Sequence, residues 1–160
     1  MGHARPFDFE AAYDPAPGIE RLLTGTPPVL SLAALDAGVE TFDGVDLGLV
    51  RAKSVALGTL FRRLVEQECD GLGLRLVSPV DPERCGSRVC YAHPEGYAII
   101  QALIARGVIG DFRAPDVARF GFAPLYVRHV DVFDAVAALR EILTTRAWDQ
   151  PRFRTRALVT

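Results

Sequence analysis

Arg119 stands in an otherwise apolar stretch, Val117-Ala118-Arg119-Phe120-Gly121-Phe122. A guanidinium is costly to place among apolar neighbours unless an anion meets it. Read as a strand, the stretch turns Phe120 and Phe122 to one face and Arg119 to the other. Two chemistries fit. A local carboxylate such as Asp111 or Asp116 would make Arg119 half of a structural ion pair. Alternatively, its planar fork binds the carboxylate of a small anionic molecule through two parallel hydrogen bonds.

Gly25-Thr26-Pro27-Pro28 is the second candidate. A Gly-Thr at a helix start offers a hydroxyl, free backbone N–H groups and the positive end of the helix dipole, which are the parts of a phosphate site. The same residues serve equally as an ordinary helix cap.

Cys85, Cys90 and His93 have a C-x4-C-x2-H spacing that suggests zinc, but no fourth ligand is evident. Cys90 alternates with Val89 and Tyr91, as a packed thiol in a strand would. No metal is expected, and His93 is read as structural. A Cys-His catalytic pair would need a facing geometry that spacing cannot supply. Glu95, Asp111 and Asp116 form no spacing that selects a pair of catalytic acids; Glu95 suits a helix start. The single lysine, Lys53, sits in a helical pattern. Arg152, Arg154 and Arg156 alternate, which gives an extended tail one basic face, either solvated or in contact with another domain or subunit.

The elements that must position these residues follow from periodicity and punctuation. Residues 1–28 carry five prolines, Pro6, Pro15, Pro17, Pro27 and Pro28, and read as turns and extended backbone. Phe7, Phe9, Tyr13, Leu22 and Leu23 within them imply a surface to lie against. A helix starting at Thr26 or Pro27 and covering 29–42 is apolar nearly all round and is expected to be buried. A second helix, about 46–68, has a stripe of Val50, Leu57, Leu60, Phe61, Leu64 and Val65. Strands at 74–78 and 87–91, a helix at 95–106 ended by Gly107, strands at 108–112 and 117–122, and a helix from an Asp131 N-cap to 145 complete the chain. The order β-β-α-β-β-α predicts an open α/β sandwich with mostly antiparallel pairing.

The 160 residues suffice for a real core, and 49% hydrophobic with 24% charged residues is a globular composition. A formal net charge of -2 supplies no overall basic field for nucleic acid. No apolar run reaches a membrane span, and the opening Met-Gly-His-Ala-Arg-Pro has no apolar core of a signal peptide. Three cysteines, an odd count, fit a reducing cytoplasm.

From His93-Pro94-Glu95-Gly96-Tyr97 through Gly121-Phe122-Ala123-Pro124-Leu125-Tyr126, the chain closely resembles the C-terminal region of kynureninases, fold-type I pyridoxal-phosphate enzymes of the class V aminotransferase kind. The resemblance reaches from Gly2-His3 to Leu158-Val159-Thr160; over residues 43–85 it is mainly one of pattern. It implies a small C-terminal α/β domain at 71–160, a connecting helix at 43–70, and at 1–42 part of a large cofactor domain. It implies that Arg119, in the family's R-x-x-x-P-L-Y segment, holds the α-carboxylate of the substrate. Gly25 and Thr26 match the place where the family contacts the cofactor phosphate, across a dimer interface. Gly2-His3 matches the end of an aromatic-rich segment near the cofactor, which makes His3 a weaker candidate. The family has no metal here.

The implied reaction is hydrolysis of L-kynurenine, or its 3-hydroxy form, to anthranilate or hydroxyanthranilate and L-alanine, in tryptophan catabolism. The implied cofactor is pyridoxal 5'-phosphate. The Schiff-base lysine belongs to the large domain in the family's order, and Lys53 lies on the wrong side of Thr26 to be it. The chain alone is therefore expected to be inactive, with a homodimer or a complementary large-domain chain as partner. The competing expectations are a non-catalytic α/β dimerisation or binding module, and part of another fold-type I enzyme.

Overall fold

The computed structural model describes residues 2–155; Met1 and residues 156–160, with Arg156 and the Leu158-Val159-Thr160 end among them, lie outside the described residues. The chain divides into two units, Met1–Val45 and Asp46–Thr160.

In the second unit, the Asp46 carboxylate accepts hydrogen bonds from the backbone N–H of Gly48 (2.7 Å) and Leu49 (3.3 Å), and so caps helix α2 (Leu47–Glu68). Its buried residues Ser54, Leu57, Phe61 and Val65 recur every three or four positions, as one helical face requires. Beyond it lie β1 (Arg75–Leu76), β2 (Arg88–Ala92), α3 (Gly96–Ile104), β3 (Asp111–Arg113), β4 (Val117–Gly121), α4 (His129–Thr145) and α5 (Pro151–Arg154). The four strands form one antiparallel sheet in the order β1-β2-β4-β3. This is the open α/β fold expected.

The sheet has two unlike faces because strand side chains alternate. Val89, Tyr91, Ala118 and Phe120 are buried with Leu57, Phe61, Ile99, Leu103, Val136 and Leu139 from α2, α3 and α4. Phe61 is the hub; its ring lies 4.8 Å from Phe120, 5.3 Å from Phe122 and 6.3 Å from Tyr91. Each buried Val, Leu, Ile or Phe side chain there contributes about 1.5–3 kcal/mol. The opposite face carries Arg88, Cys90, Asp111, Arg113 and Arg119.

Several boundaries differ from expectation. Helix α4 starts at His129, not at an Asp131 N-cap. Asp131 is instead its third residue, and its carboxylate reaches back to the Arg128 backbone N–H at 2.7 Å and to the Arg128 guanidinium. Strand β3 begins at 111 and not 108, because the Val108 N–H is taken by the Leu103 carbonyl (3.0 Å) as the chain wraps off α3 through Gly107, whose φ is +82°. Residues 151–154 form one helical turn, not an extended basic tail. Arg154 there pairs with Asp149 and Glu95 and stacks on Trp148, while Arg152 lies over the Phe153 ring.

In the first unit, residues 2–23 are held by backbone bonds: Gly2 N–H to Arg21 O (2.7 Å), Ala16 N–H to Gly2 O (3.1 Å) and Ala4 N–H to Asp14 O (2.8 Å). Gly2 is needed there, since a Cβ would fall 2.1 Å from the Glu20 carbonyl oxygen. Helix α1 (Val29–Glu40) follows. The burial expected of it is not observed: none of its residues is buried, and Val29, Leu30, Leu35 and Val39 are all exposed. Ala16 is the one buried apolar residue among the described residues of this unit, so the unit has no core onto which α1 could pack.

Candidate functional site

Arg119 occupies the middle of β4, a central strand. Its direct cross-strand partners are Cys90 on β2 and Asp111 on β3. Direct partners in an antiparallel pair share a face, so the three side chains form a row across the polar side of the sheet. The Asp111 carboxylate accepts a hydrogen bond from Nη2 of Arg119, which holds the acid below its ordinary carboxylate range. Of the two acids proposed as local partners, register selects Asp111. Asp116 lies in the β3–β4 turn, where its backbone carbonyl accepts the His93 N–H at 3.0 Å.

The ion pair does not exhaust the guanidinium. Nε of Arg119 is buried and has no partner among the described residues. An unsatisfied buried donor costs about 1–3 kcal/mol, which an incoming acceptor relieves. Arg88 and Arg113 stand exposed on the same face, and Arg113 lies 3.5 Å from the second Asp111 oxygen. Three guanidiniums, Arg119 included, against one carboxylate leave this row with a surplus of two positive charges. Arg88 and Arg113 carry no motif of their own; only the strand register shows that they share this face.

The first unit gathers the other three candidates. An open cleft of about 780 Å³ is lined by His3, Gly25, Thr26, Arg5 and the exposed rings of Phe7 and Phe9. Thr26 stands two residues before the Pro28 N-cap of α1, not at the helix start itself. No side chain caps α1, and no acid lies in its first turn, so its leading N–H groups and the Thr26 hydroxyl remain available to an anion. Both ring nitrogens of His3 are engaged within the loop. Nδ1 accepts from the Arg5 backbone N–H (2.9 Å), and Nε2 lies 3.1 Å from the Ala12 carbonyl oxygen. Arg5 also lines the cleft, with Asp8, Glu10 and Asp14 as its counter-charges.

His93 closes the strand-to-helix turn. Its Nδ1 accepts the Glu95 N–H at 3.0 Å, it bonds the Leu72 backbone, and burial holds its pKa below the ordinary histidine value. Cys85 bonds the Pro79 carbonyl oxygen, away from the Arg119 row. No three His, Cys, Asp or Glu side chains gather as metal ligands among the described residues.

A sequence model of the kynureninase C-terminal domain matches residues 50–139, the span that builds this sheet and its helices. The chain belongs to the kynureninase family. It is 50% identical over 159 residues to the kynureninases of Burkholderia mallei (strain SAVP1) and Burkholderia pseudomallei (strain K96243), covering 99% of this chain. It is also 50% identical over 160 residues to the kynureninase of Pseudomonas fluorescens. In each case the chain spans 38% of the relative's length. Within this kynureninase part, no helix is long and apolar enough to cross a membrane among the described residues.

Proposed function

We propose that this chain supplies the substrate-carboxylate anchor and part of the phosphate site of a kynureninase that hydrolyses L-kynurenine to anthranilate and L-alanine. The observation that carries the reading is Arg119: a central guanidinium on the polar sheet face, with Nη2 held by Asp111 and a buried Nε that has no partner among the described residues. A permanently charged fork suits a substrate group that is always an anion. Residues 71–160 are the small domain, 43–70 the connecting helix and 1–42 part of the cofactor domain.

Pyridoxal phosphate, when bound, supplies the electron sink for cleaving the carbon–carbon bond. The donor set of this chain fits the phosphate end of that group: the Thr26 hydroxyl, the Gly25 backbone and the uncapped first turn of α1. Lys53, on α2, is given no role in it. Arg119 orients the amino-acid end of the substrate, and so decides which of its bonds faces the cofactor. The remaining machinery belongs to a large domain, on a partner chain or in a longer polypeptide, working as a homodimer. A cytoplasmic setting suits three free thiols.

The test is to exchange the corresponding 38% of the Pseudomonas fluorescens kynureninase for this chain and follow anthranilate fluorescence with kynurenine and pyridoxal phosphate. The joined enzyme is expected to turn over, and the isolated chain to stay at the free-cofactor background. In the joined enzyme Thr26→Ala should weaken cofactor retention by about 1–3 kcal/mol, with turnover recovering at high cofactor concentration. A joined enzyme that folds, binds cofactor and releases no anthranilate contradicts the reading.

A further inference from the structure

We infer that Asp111 is a positioning residue for the carboxylate anchor: it sets the plane of the Arg119 guanidinium before substrate arrives. The inference rests on the reading of Arg119 given above and adds to it a residue that no family motif assigns.

Asp111 and Arg119 are direct partners in the β3–β4 register, so the backbone fixes where the carboxylate stands relative to the guanidinium. One Asp111 oxygen takes Nη2 of Arg119; the other faces Arg113 at 3.5 Å. The carboxylate thus has a guanidinium on each side. The second neighbour of Arg119 in the row is Cys90, whose thiol is a weak hydrogen-bond partner and leaves Nε unsatisfied. Nη2 is held by Asp111, while Nε, the donor beside it, has no partner among the described residues.

An acid beside an anion site also repels the anion, and magnitudes decide which effect prevails. Arg113 and Arg88 both act on Asp111, so its charge is more than balanced locally. What Asp111 removes is the freedom of a long side chain to rotate, which in arginine is large. Locking it beforehand spares the substrate that cost. Asp111 therefore acts through Arg119, and the effect falls on the carboxylate end of the substrate alone.

The experiment uses the joined enzyme described above, with Asp111→Asn, Asp111→Ala and Arg119→Ala. Asp111→Asn is expected to raise KM for kynurenine by about tenfold or more while kcat stays within about threefold. It should weaken inhibition by L-alanine to a similar degree, and leave unchanged the inhibition by the kynurenine analogue that lacks the α-carboxylate. Asp111→Ala combined with Arg119→Ala should be no worse than Arg119→Ala alone. An unchanged KM for Asp111→Asn, or equal weakening of the analogue without a carboxylate, overturns the inference. If Arg119→Ala itself leaves carboxylate binding intact, the anchor reading falls first. As a second measurement on the chain as it stands, the Arg119 Nε–H resonance should shift and broaden in Asp111→Asn; an unchanged resonance counts against Asp111.

Discussion

Gly96 and Asp116 approach so closely that a Cβ at position 96 would lie 2.8 Å from the Asp116 carbonyl oxygen and 3.3 Å from the Phe112 ring. The same carbonyl accepts the His93 N–H at 3.0 Å. The start of α3 is thereby fastened to the β3–β4 turn, the hairpin that carries both Asp111 and Arg119. Gly96→Ala should cost about 1–3 kcal/mol by overpacking. Gly86→Ala, where the added Cβ meets nothing within 4 Å, should be near neutral. Urea unfolding of the two variants checks this; equal midpoints would contradict it.

Cys69 is buried at the end of α2, and burial pushes its thiol up to about 11. The thiolate is the reactive form. At pH 8 a disulfide reagent should modify Cys85 and Cys90 in the folded chain and spare Cys69 until denaturant is added. Mass spectrometry of the labelled peptides checks this; rapid labelling of Cys69 in the native chain would contradict it.

His93 gives the second unit a pH dependence of known sign. Its pKa is lowered by burial from 6.5, so the folded state disfavours the charged ring. Between the folded value and 6.5 the unfolded chain binds more protons, so stability rises with pH and levels off above 6.5. The fall in Tm from pH 7 to 5 should be steeper in the native sequence than in His93→Gln. Parallel slopes would remove His93 as the cause.

Helix α1 exposes Leu30, 88% accessible, and Leu35, 60% accessible, with Phe7 and Phe9 nearby in sequence at 84% and 90%. So much exposed apolar surface marks a contact surface. The isolated chain should bind a hydrophobic dye, and Leu30→Ser with Leu35→Ser should reduce the signal at unchanged stability of the second unit. A dye-silent native chain would contradict this.

Much of the second unit was legible in the sequence because its signals are local. Helix α2 runs Leu47–Glu68, close to the 46–68 expected from its apolar stripe, and the alternation through Ala118, Arg119 and Phe120 appears in the burial of β4. Asp131 misled because an acid three residues into a helix and an acid at its cap look alike in sequence. Helix α1 misled for a different reason: apolar residues all round a helix imply a covering partner, but not one within the same unit. The choice between Asp111 and Asp116 could not be read from spacing. Both lie in the same hairpin, and only the Asp111–Arg119 register decides it. Likewise, the cleft that brings His3 to Thr26 depends on the Gly2–Arg21 backbone contact, which no periodicity encodes.

The most direct measurement is the kcat/KM of Arg119→Ala and Arg119→Lys in the joined enzyme at saturating pyridoxal phosphate, with the fold verified by circular dichroism. Losing a bidentate, charge-assisted contact to the substrate carboxylate costs about 3–5 kcal/mol, or about two to four orders of magnitude in efficiency. Arg119→Lys should recover little of it, since a point ammonium lacks the planar fork. Near-normal efficiency in folded Arg119→Ala would mean that Arg119 serves only its ion pair with Asp111.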